Sequence, residues 1–504
     1  MLNLSRRVPS PLWLLLLLAL PLAFMPLQWA TAISLGLALL ILTLIDPVWA
    51  LYAAILSVPV QELIQLPGGL SVTQATLLLM LGSLGLHTLA APERPLRLGR
   101  LFGPLALFLL ALFTALIFTP FSRSEATREL LRWITVPLVY LLTLRALGGR
   151  AGLANWRLYG LLACLLLAPA LNAALGLVQF WFGIGPESFG AGGGRTRAYG
   201  TIGQPNSFAG YMNQAWPLAL SLTGGMLVGV VQTVVGAHAA RAHQQHHTRF
   251  LLLALLGGIS GVLLAGLLTS FSRGGWVGAL GGMLVLGLAT MIALPPELRR
   301  WAQRGLIVAG AGMLLLLVLG GGGWLPSSLA GRLGSITASM RLFDVRGAVV
   351  TPENFAVVER MAHIQAAWNM FQRHPITGVG PGNYSLAFES LPDSGMTPIT
   401  TRPWYTSRGH AHNYYLHIAA EAGGLGLAAY LLLLASVAYQ ALRAIRHAPN
   451  LLWLSVAIGC TGISAAVVVH NLFENLHVLN MGLQLGTTWA LLVLAEGQHK
   501  EMHI

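Results

Sequence analysis

Three groups of residues in this 504-residue chain have types and spacing that suit chemistry on an anion. The first is Arg195-Thr-Arg197, which follows a glycine run and leads through Ala-Tyr-Gly-Thr-Ile-Gly-Gln-Pro to Asn206. The second is Ser272-Arg273-Gly274-Gly275, and the third is His410-Ala411-His412-Asn413, continued by Tyr-Tyr-Leu-His417 and, four residues on, Glu421. The planar fork of arginine matches pairs of phosphate oxygens, which a point charge does not. A neutral imidazole at the boundary of a loop and a helix is a competent general base for a hydroxyl. Asn413, His417 and Glu421 stand at i, i+4 and i+8 and so share one helix face. That places Glu421 about two turns deep, where a carboxylate is expected to pair with a polar neighbour.

Each group also has a plainer reading. Arg195 and Arg197 would hold lipid headgroups, and Arg273 would snorkel to an interface. Against that, the glycines at 274 and 275 let a ligand approach the backbone closely, and a helix opening at Pro205-Asn206 would offer unpaired N–H groups and a positive dipole end. Zinc is the rival explanation for the histidines. His410 and His412 alone are too few ligands, and His470 or His477 would have to be recruited from another helix, so no metal centre is expected. His243, His246 and His247 sit among Gln and Arg, as in a solvated connection. Arg123, Arg128 and Arg132 are spaced from Glu125 and Glu129 for ordinary helix-surface ion pairs.

Other chemistry lacks its residues. The three aspartates, Asp46, Asp344 and Asp393, are far apart, so there is no Asp-x-Asp to hold Mg or Mn under a diphosphate. No P-loop and no Gly-x-Ser-x-Gly elbow occurs. Cys164 and Cys460 both lie in apolar runs and offer neither a disulfide framework nor a metal set. Without a metal, a leaving diphosphate needs protein cations, and Arg197 and Arg273 are placed for that.

The elements that must position these residues are membrane spans. Hydrophobic residues make up 55% of the chain, charged residues 9%, and mean hydropathy is +0.70, far from the roughly 25% charged residues of soluble domains. The expected fold is an all-α polytopic bundle of about 12–14 transmembrane helices with one long, partly helical external loop. Candidate spans run 11–25, 28–45, 48–64, 71–90, 103–120, 129–146, 157–182, 206–235, 250–269, 274–293, 303–322, 413–441, 452–470 and 478–495. Residues 12 to 24 read as a first span and not as a cleaved signal. With both termini inside, Arg94/Arg97/Arg100, Arg145/Arg150/Arg157, Arg241/Arg249, Arg299/Arg300/Arg304 and Arg443/Arg446 all fall on the inner side. The net charge of +13 is dispersed over such connections and points to anionic lipid, not nucleic acid.

The suggestive residues then collect outside. Four regions follow: amino-terminal helices (1–182), central helices with both arginine motifs (183–322), an external loop (323–412) and carboxy-terminal helices (413–504). In the loop, Val357, Met361, Ile364, Trp368 and Phe371 recur at steps of four and three, which predicts an amphipathic helix over 353–373. Pro375 stops it, and Gly378-Val-Gly380-Pro-Gly382-Asn383 is a turn whose glycines bring backbone N–H groups together. A short helix is expected over 384–390.

Taken together, these motifs resemble the O-antigen ligase and O-antigen polymerase family of bacterial envelope glycosyltransferases. The resemblance is carried by Glu359-Arg360, His-Pro-Ile-Thr-Gly-Val-Gly380-Pro-Gly-Asn383, His-Ala-His412-Asn413-Tyr-Tyr-Leu and Glu421-Ala-Gly-Gly-Leu-Gly. Upstream, Arg197-x-x-Gly-Thr with Pro-Asn206-x-x-Ala, and Ser272-Arg273-Gly274, are similar to the family's two arginine motifs. The resemblance covers roughly residues 190 to 480 and implies a metal-independent, inverting transfer of a glycan from a polyprenyl diphosphate carrier to an acceptor hydroxyl, such as one on lipid A-core. The reaction would take place on the periplasmic face of the inner membrane, with no cofactor. Arg197 and Arg273 would contact the diphosphate and His412 would activate the acceptor, with Arg195, Asn206, Glu359, Arg360, Gly380, Asn383, His410, Asn413, Glu421 and His470 supporting them. Polymerase and protein O-oligosaccharyltransferase share these motifs. An exporter of lipid-linked glycans is the alternative of another class, disfavoured because the site lies at the mouth and not at the midplane.

Overall fold

The computed structural model describes residues 25–61, 63–64, 71–90, 97–148, 155–235, 243–294, 299–300, 303–304, 344–345, 349–351, 354–389 and 410–497. The expected spans at 11–25 and 303–322 lie outside them or nearly so, as does all of 390–409. The described residues are mostly helical. Among the described residues eight helices are long and apolar enough to cross a membrane, and four shorter apolar ones run Trp29–Ile45, Val48–Val60, Phe102–Ile117 and Gly482–Ala495. The all-α polytopic expectation holds. The exception to helix is a two-stranded hairpin, β1 (Gly190–Gly192) with β2 (Arg195–Thr196), where the sequence reading had only a glycine-rich turn.

The helices that build the site are α5 (Arg123–Leu147), α7 (Pro205–Asn213), α8 (Trp216–Val235), α10 (Arg273–Ala293), α11 (Phe355–Arg373), α12 (Tyr384–Glu389), α13 (Tyr414–His447), α14 (Leu451–His470) and α15 (Gly482–Ala495). The remainder, α1 (Leu27–Ile45), α2 (Val48–Ser57), α3 (Val72–Ala90), α4 (Phe102–Ile117), α6 (Asn155–Phe182) and α9 (His243–Thr269), pack around them.

α10 lies along α14, and α14 along α8. Glycine makes the first contact close: a Cβ on Gly278 would come within 2.7 Å of the His470 Cβ, and one on Gly282 within 2.8 Å of the Ala466 Cβ. In lipid, where water offers no drive to pack helices together, such small residues let backbones approach and van der Waals contact hold them.

Two expected helices are interrupted. The span expected over 206–235 breaks between α7 and α8, where the Ala215 amide turns back to the Met212 carbonyl at 2.9 Å. Pro217 explains the break, since a proline disfavours helical geometry in the residue before it and brings no N–H of its own. α13 is kinked at Gly423, whose φ of +64° is not helical.

The amphipathic helix forms as α11, but its inward face is turned from the expected one. Val358, Met361, Ala362, Ala366, Ala367 and Met370 are buried, whereas Trp368 is 51% exposed. The alanines, invisible to a pattern built on large apolar side chains, let α11 settle on α13. They form a second, smaller core with Val379, Tyr384, Phe388, Ala411 and Ala420, separate from the core of the bundle.

Candidate functional site: an arginine–carboxylate–histidine cluster at one end of the bundle

The carboxy-terminal ends of α6, α9 and α14 meet the starts of α7, α10 and α13 at one end of the bundle. At the opposite end Arg443 bonds Glu496 at 2.7 Å, with Arg100 at 3.6 Å.

Arg197 is aimed by backbone and side-chain partners. Its own amide donates to the Phe189 carbonyl, and the next amide, of Ala198, donates to the Thr269 carbonyl. The guanidinium then donates from Nε to the Ser270 carbonyl at 2.8 Å and from Nη2 to Asn206 Oδ1 at 3.1 Å. Asn206 passes the link on, with Nδ2 donating to Glu474 Oε2 at 2.9 Å. Arg195 faces elsewhere: it stacks on Trp181 at 4.6 Å and Phe180 at 5.2 Å. Trp181 is 61% exposed, so Arg195 makes a cation–π contact at an outward aromatic face, closer to the lipid-contact reading than to the cluster.

Arg273 is the first residue of α10, behind an N-cap in which Ser272 Oγ accepts the Gly275 amide at 3.2 Å. The two glycines that follow do not open a path for a ligand. The space above Gly274 is taken by Phe473 and His470, and that above Gly275 by Ala209. Their small size seats α10 against the turn that carries Glu474. His470 is fully buried and shares a 3.3 Å contact from Nδ1 with Asn213 Nδ2, which also donates to the Gly275 carbonyl.

Glu474 is the residue that sequence reasoning missed. It sits in Asn-Leu-Phe-Glu-Asn-Leu-His, an unremarkable connection. The signal available was a carboxylate just outside an apolar span and four residues after His470. Its amide donates to the His470 carbonyl at 3.2 Å, and its Oε1 lies 2.6 Å from His410 Nε2 and 3.7 Å from His412 Nδ1. Burial alone would raise its pKa, but the charge and hydrogen bond of His410, with His412 beside it, hold this carboxyl well below the usual carboxylate range. Burial likewise disfavours charge on His410, and Glu474 outweighs it, so the His410 pKa is raised. His410 Nδ1 also accepts the His412 amide at 3.2 Å.

His412 has a φ of +50°, a left-handed conformation uncommon in residues other than glycine and a strain that clusters at functional positions. Among the described residues its Nδ1 is buried without a hydrogen-bond partner. Its ring lies 4.5 Å from that of His410 and 5.7 Å, edge to face, from that of His363 on α11. His363, also absent from the expected set, is fully buried and bonded to Tyr384 through both Nδ1 and its carbonyl. Burial, aided by the neighbouring His412, His410 and His417, pushes its pKa down to about 3, so it stays neutral. Glu359 is held up by burial, with His412, Arg360 and His410 partly offsetting this, which puts Glu359 and Arg360 within electrostatic reach of the histidines.

Asn413, His417 and Glu421 do share a face, and two of them brace the backbone. Asn413 caps α13, its Oδ1 accepting the Leu416 amide at 2.9 Å. Glu421 accepts the Gly382 amide at 2.8 Å and the Tyr384 amide at 3.0 Å. The Val379 and Gly380 amides go to the Ala420 and Glu421 carbonyls, both at 2.9 Å. The Val379, Gly380 and Gly382 N–H groups that the turn brings together are therefore satisfied by α13. Gly378 and Gly423 face backbone here, at contacts of 2.2–2.6 Å for any added Cβ, and both have positive φ. On the other side Asn383 Oδ1 accepts the Ser122 amide, and the Thr119 hydroxyl donates to the Val379 carbonyl at 2.6 Å. The turn is thus clamped between the start of α5 and the kink of α13. His477 lies apart from the histidine cluster, stacked on Trp133 at 3.6 Å.

The expected ion pairs of α5 form, Arg128 with Glu125 at 2.7 Å and Arg132 with Glu129 at 2.5 Å. The side chains of His243 and His246 lie outside the described residues.

One family model matches part of the chain. Residues 258–431 match the family model described as O-antigen ligase, the family that the motifs resemble. No curated protein matches the chain. The matched segment takes in Arg273, the glycine turn, His412 and Glu421. Arg197, Asn206, His470 and Glu474 lie outside it and are joined to it by the contacts above.

Proposed function

We propose that this chain is a metal-independent, inverting glycosyltransferase that moves a glycan from a polyprenyl diphosphate to an acceptor hydroxyl, as an O-antigen ligase does with lipid A-core. The observation that carries the proposal is the continuous link from Arg197 through Asn206 and Glu474 to His410, with His412 beside it. It sets a guanidinium suited to phosphate and an imidazole suited to a hydroxyl on opposite arms of one carboxylate. The family match supports a lipid-linked glycan as the substrate class.

In the reaction, the acceptor oxygen attacks the anomeric carbon as the bond from that carbon to the diphosphate oxygen breaks. The hydroxyl proton passes to His412 Nε2, and the lipid diphosphate leaves with its charge held by Arg197 and Arg273. Attack opposite the leaving group inverts the carbon. Glu474, near Nδ1, favours the tautomer with its proton on that nitrogen and stabilises the imidazolium as it forms, as a carboxylate does in a catalytic triad. His410 shares this carboxylate and accepts the His412 amide, which makes it a positioning residue. The site would face the periplasm, with the protein in the inner membrane.

The direct test is to incubate the purified protein with a polyprenyl-diphosphate glycan and either lipid A-core, a second repeat unit or a peptide, and to analyse the products by mass. Release of polyprenyl diphosphate with glycosylated lipid A-core is expected. Extended glycan or glycopeptide would shift the assignment to polymerase or protein glycosylation. Movement between leaflets of sealed vesicles without release would overturn the enzyme reading.

A further inference from the structure

His410, His412 and Glu474 each present one ligand atom, and the three atoms lie within 4.8 Å of one another. Two neighbouring histidines are too few ligands by themselves; the fold supplies the third from a connection more than sixty positions away. We propose that these three residues form a binding site for a late first-row divalent cation, zinc above all, and that its occupancy switches the transferase off. The inhibitory half rests on the reading of His412 as the base.

The separations suit the ion. Zinc bonds to imidazole and carboxylate of about 2.0–2.2 Å put tetrahedral ligand atoms roughly 3.3 Å apart. Glu474 Oε1 lies 2.6 Å from His410 Nε2 and 3.7 Å from His412 Nδ1, so one contact opens and the other closes by less than about 1 Å. The donor set selects the metal: two imidazoles with one carboxylate suit zinc, copper or nickel, whereas magnesium and calcium require oxygen.

Charge around the site is mixed. Arg360 opposes a cation, but Glu474 and Glu359 bring two carboxylates within electrostatic reach of the same histidines. His412 Nδ1 is already buried without a hydrogen-bond partner among the described residues, and a metal would satisfy it. The neighbouring positions are held independently. His470 is tied to Asn213, and Asn206 fixes the other oxygen of Glu474.

Inhibition follows from tautomer chemistry. A neutral imidazole that ligates through Nδ1 carries its proton on Nε2, so the nitrogen that must accept the hydroxyl proton has no lone pair. The metal also takes the carboxylate that would stabilise the imidazolium.

The test uses the full-length protein in detergent, stripped of metal by chelator and titrated with zinc by calorimetry, with bound metal counted by elemental analysis. One zinc per chain is expected to bind and to lower transfer at least tenfold, and chelator should restore the rate. His410→Ala and, separately, Glu474→Gln should each weaken binding tenfold or more. His374→Ala and the triple variant His243→Ala/His246→Ala/His247→Ala should bind as the parent does. If Glu474→Gln does not fold, His410→Ala with the two control variants decides the site. No stoichiometric binding, or binding lost in the triple variant and kept in His410→Ala, would overturn the site while leaving the transferase reading intact. Zinc bound at full stoichiometry without loss of rate would overturn the switch. Transfer abolished by chelation and restored by zinc would overturn both the switch and the metal-independent mechanism. Absence of transfer in the metal-free protein under every condition would count against the reading, and the binding data would stand apart from it.

Discussion

At the scale of single residues, the proposed mechanism rests on His412. Its substitution by Ala should lower turnover by about 10²–10⁴-fold with less effect on donor binding, because general-base assistance acts in the transition state; steady-state rates with varied donor check this. His410→Ala should cost less, since His410 is bonded to Glu474 and positions the His412 backbone. Near-normal turnover of His412→Ala would remove it as the base. Arg197→Lys and Arg273→Lys should each lose most of the activity while the protein stays monodisperse, since an ammonium cannot present the fork that meets two phosphate oxygens.

The His410–Glu474 pair also has a pH signature. The depressed pKa of Glu474 contributes stability that is present above the ordinary carboxylate pKa and is lost as pH falls through the folded value. The raised pKa of His410 contributes stability that is fully present below the ordinary imidazole pKa and is lost as pH rises through the folded value. Both contributions coincide between about pH 4.5 and 6.5. The gap in melting temperature between the parent and Glu474→Gln should be widest there and narrow on either side. A gap that grows steadily toward alkaline pH would contradict the pairing.

At the scale of elements, the clip formed by Glu421, the glycine turn and the kink of α13 mounts α11 and α12 over the site. Gly424 donates to the Pro375 carbonyl at 2.7 Å, continuing the seam begun by Val379 and Gly380. Gly423→Ala should destabilise it by about 1–3 kcal/mol or more, because the new Cβ would meet the Ile376 carbonyl and φ is positive. Glu421→Ala should leave the buried Tyr384 amide and the half-buried Gly382 amide without their acceptor. Hydrogen exchange over residues 374–389 should speed up in both variants, with the bundle helices unaffected. Unchanged exchange there would mean that the clip does not hold the loop.

At the scale of the whole molecule, helix polarity puts the cluster at one end of the bundle and the Arg100–Arg443–Glu496 group at the other. The arginine distribution predicts which end faces outward. Cys164 and Cys460 are buried, so thiol labelling of intact cells starts from a silent background. Cysteine at Gln372, which is exposed, should label, and cysteine at Pro449, exposed at the opposite end, should stay protected. The reverse pattern would invert the topology and move the site to the cytoplasm.

Much of this was legible in the chain before folding. Span length and apolar runs set the helical class, because a backbone in lipid must satisfy its own hydrogen bonds. The arginines, the His-x-His-Asn boundary and the helix of the loop could be read from residue type and period, since those signals are local. What tertiary structure alone decided was partnership. Glu474 has no local signature, and only the docking of the start of α13 on the turn after α14, where the Tyr414 amide donates to the Asn471 carbonyl at 2.7 Å, brings it to the histidines. The same holds for Glu421, whose partners lie almost forty residues away, and for the inward face of α11, which small alanines determine. A helical pattern records which side of a helix is apolar; which groups meet across it depends on how closely two backbones approach, and that is a property of the packed pair.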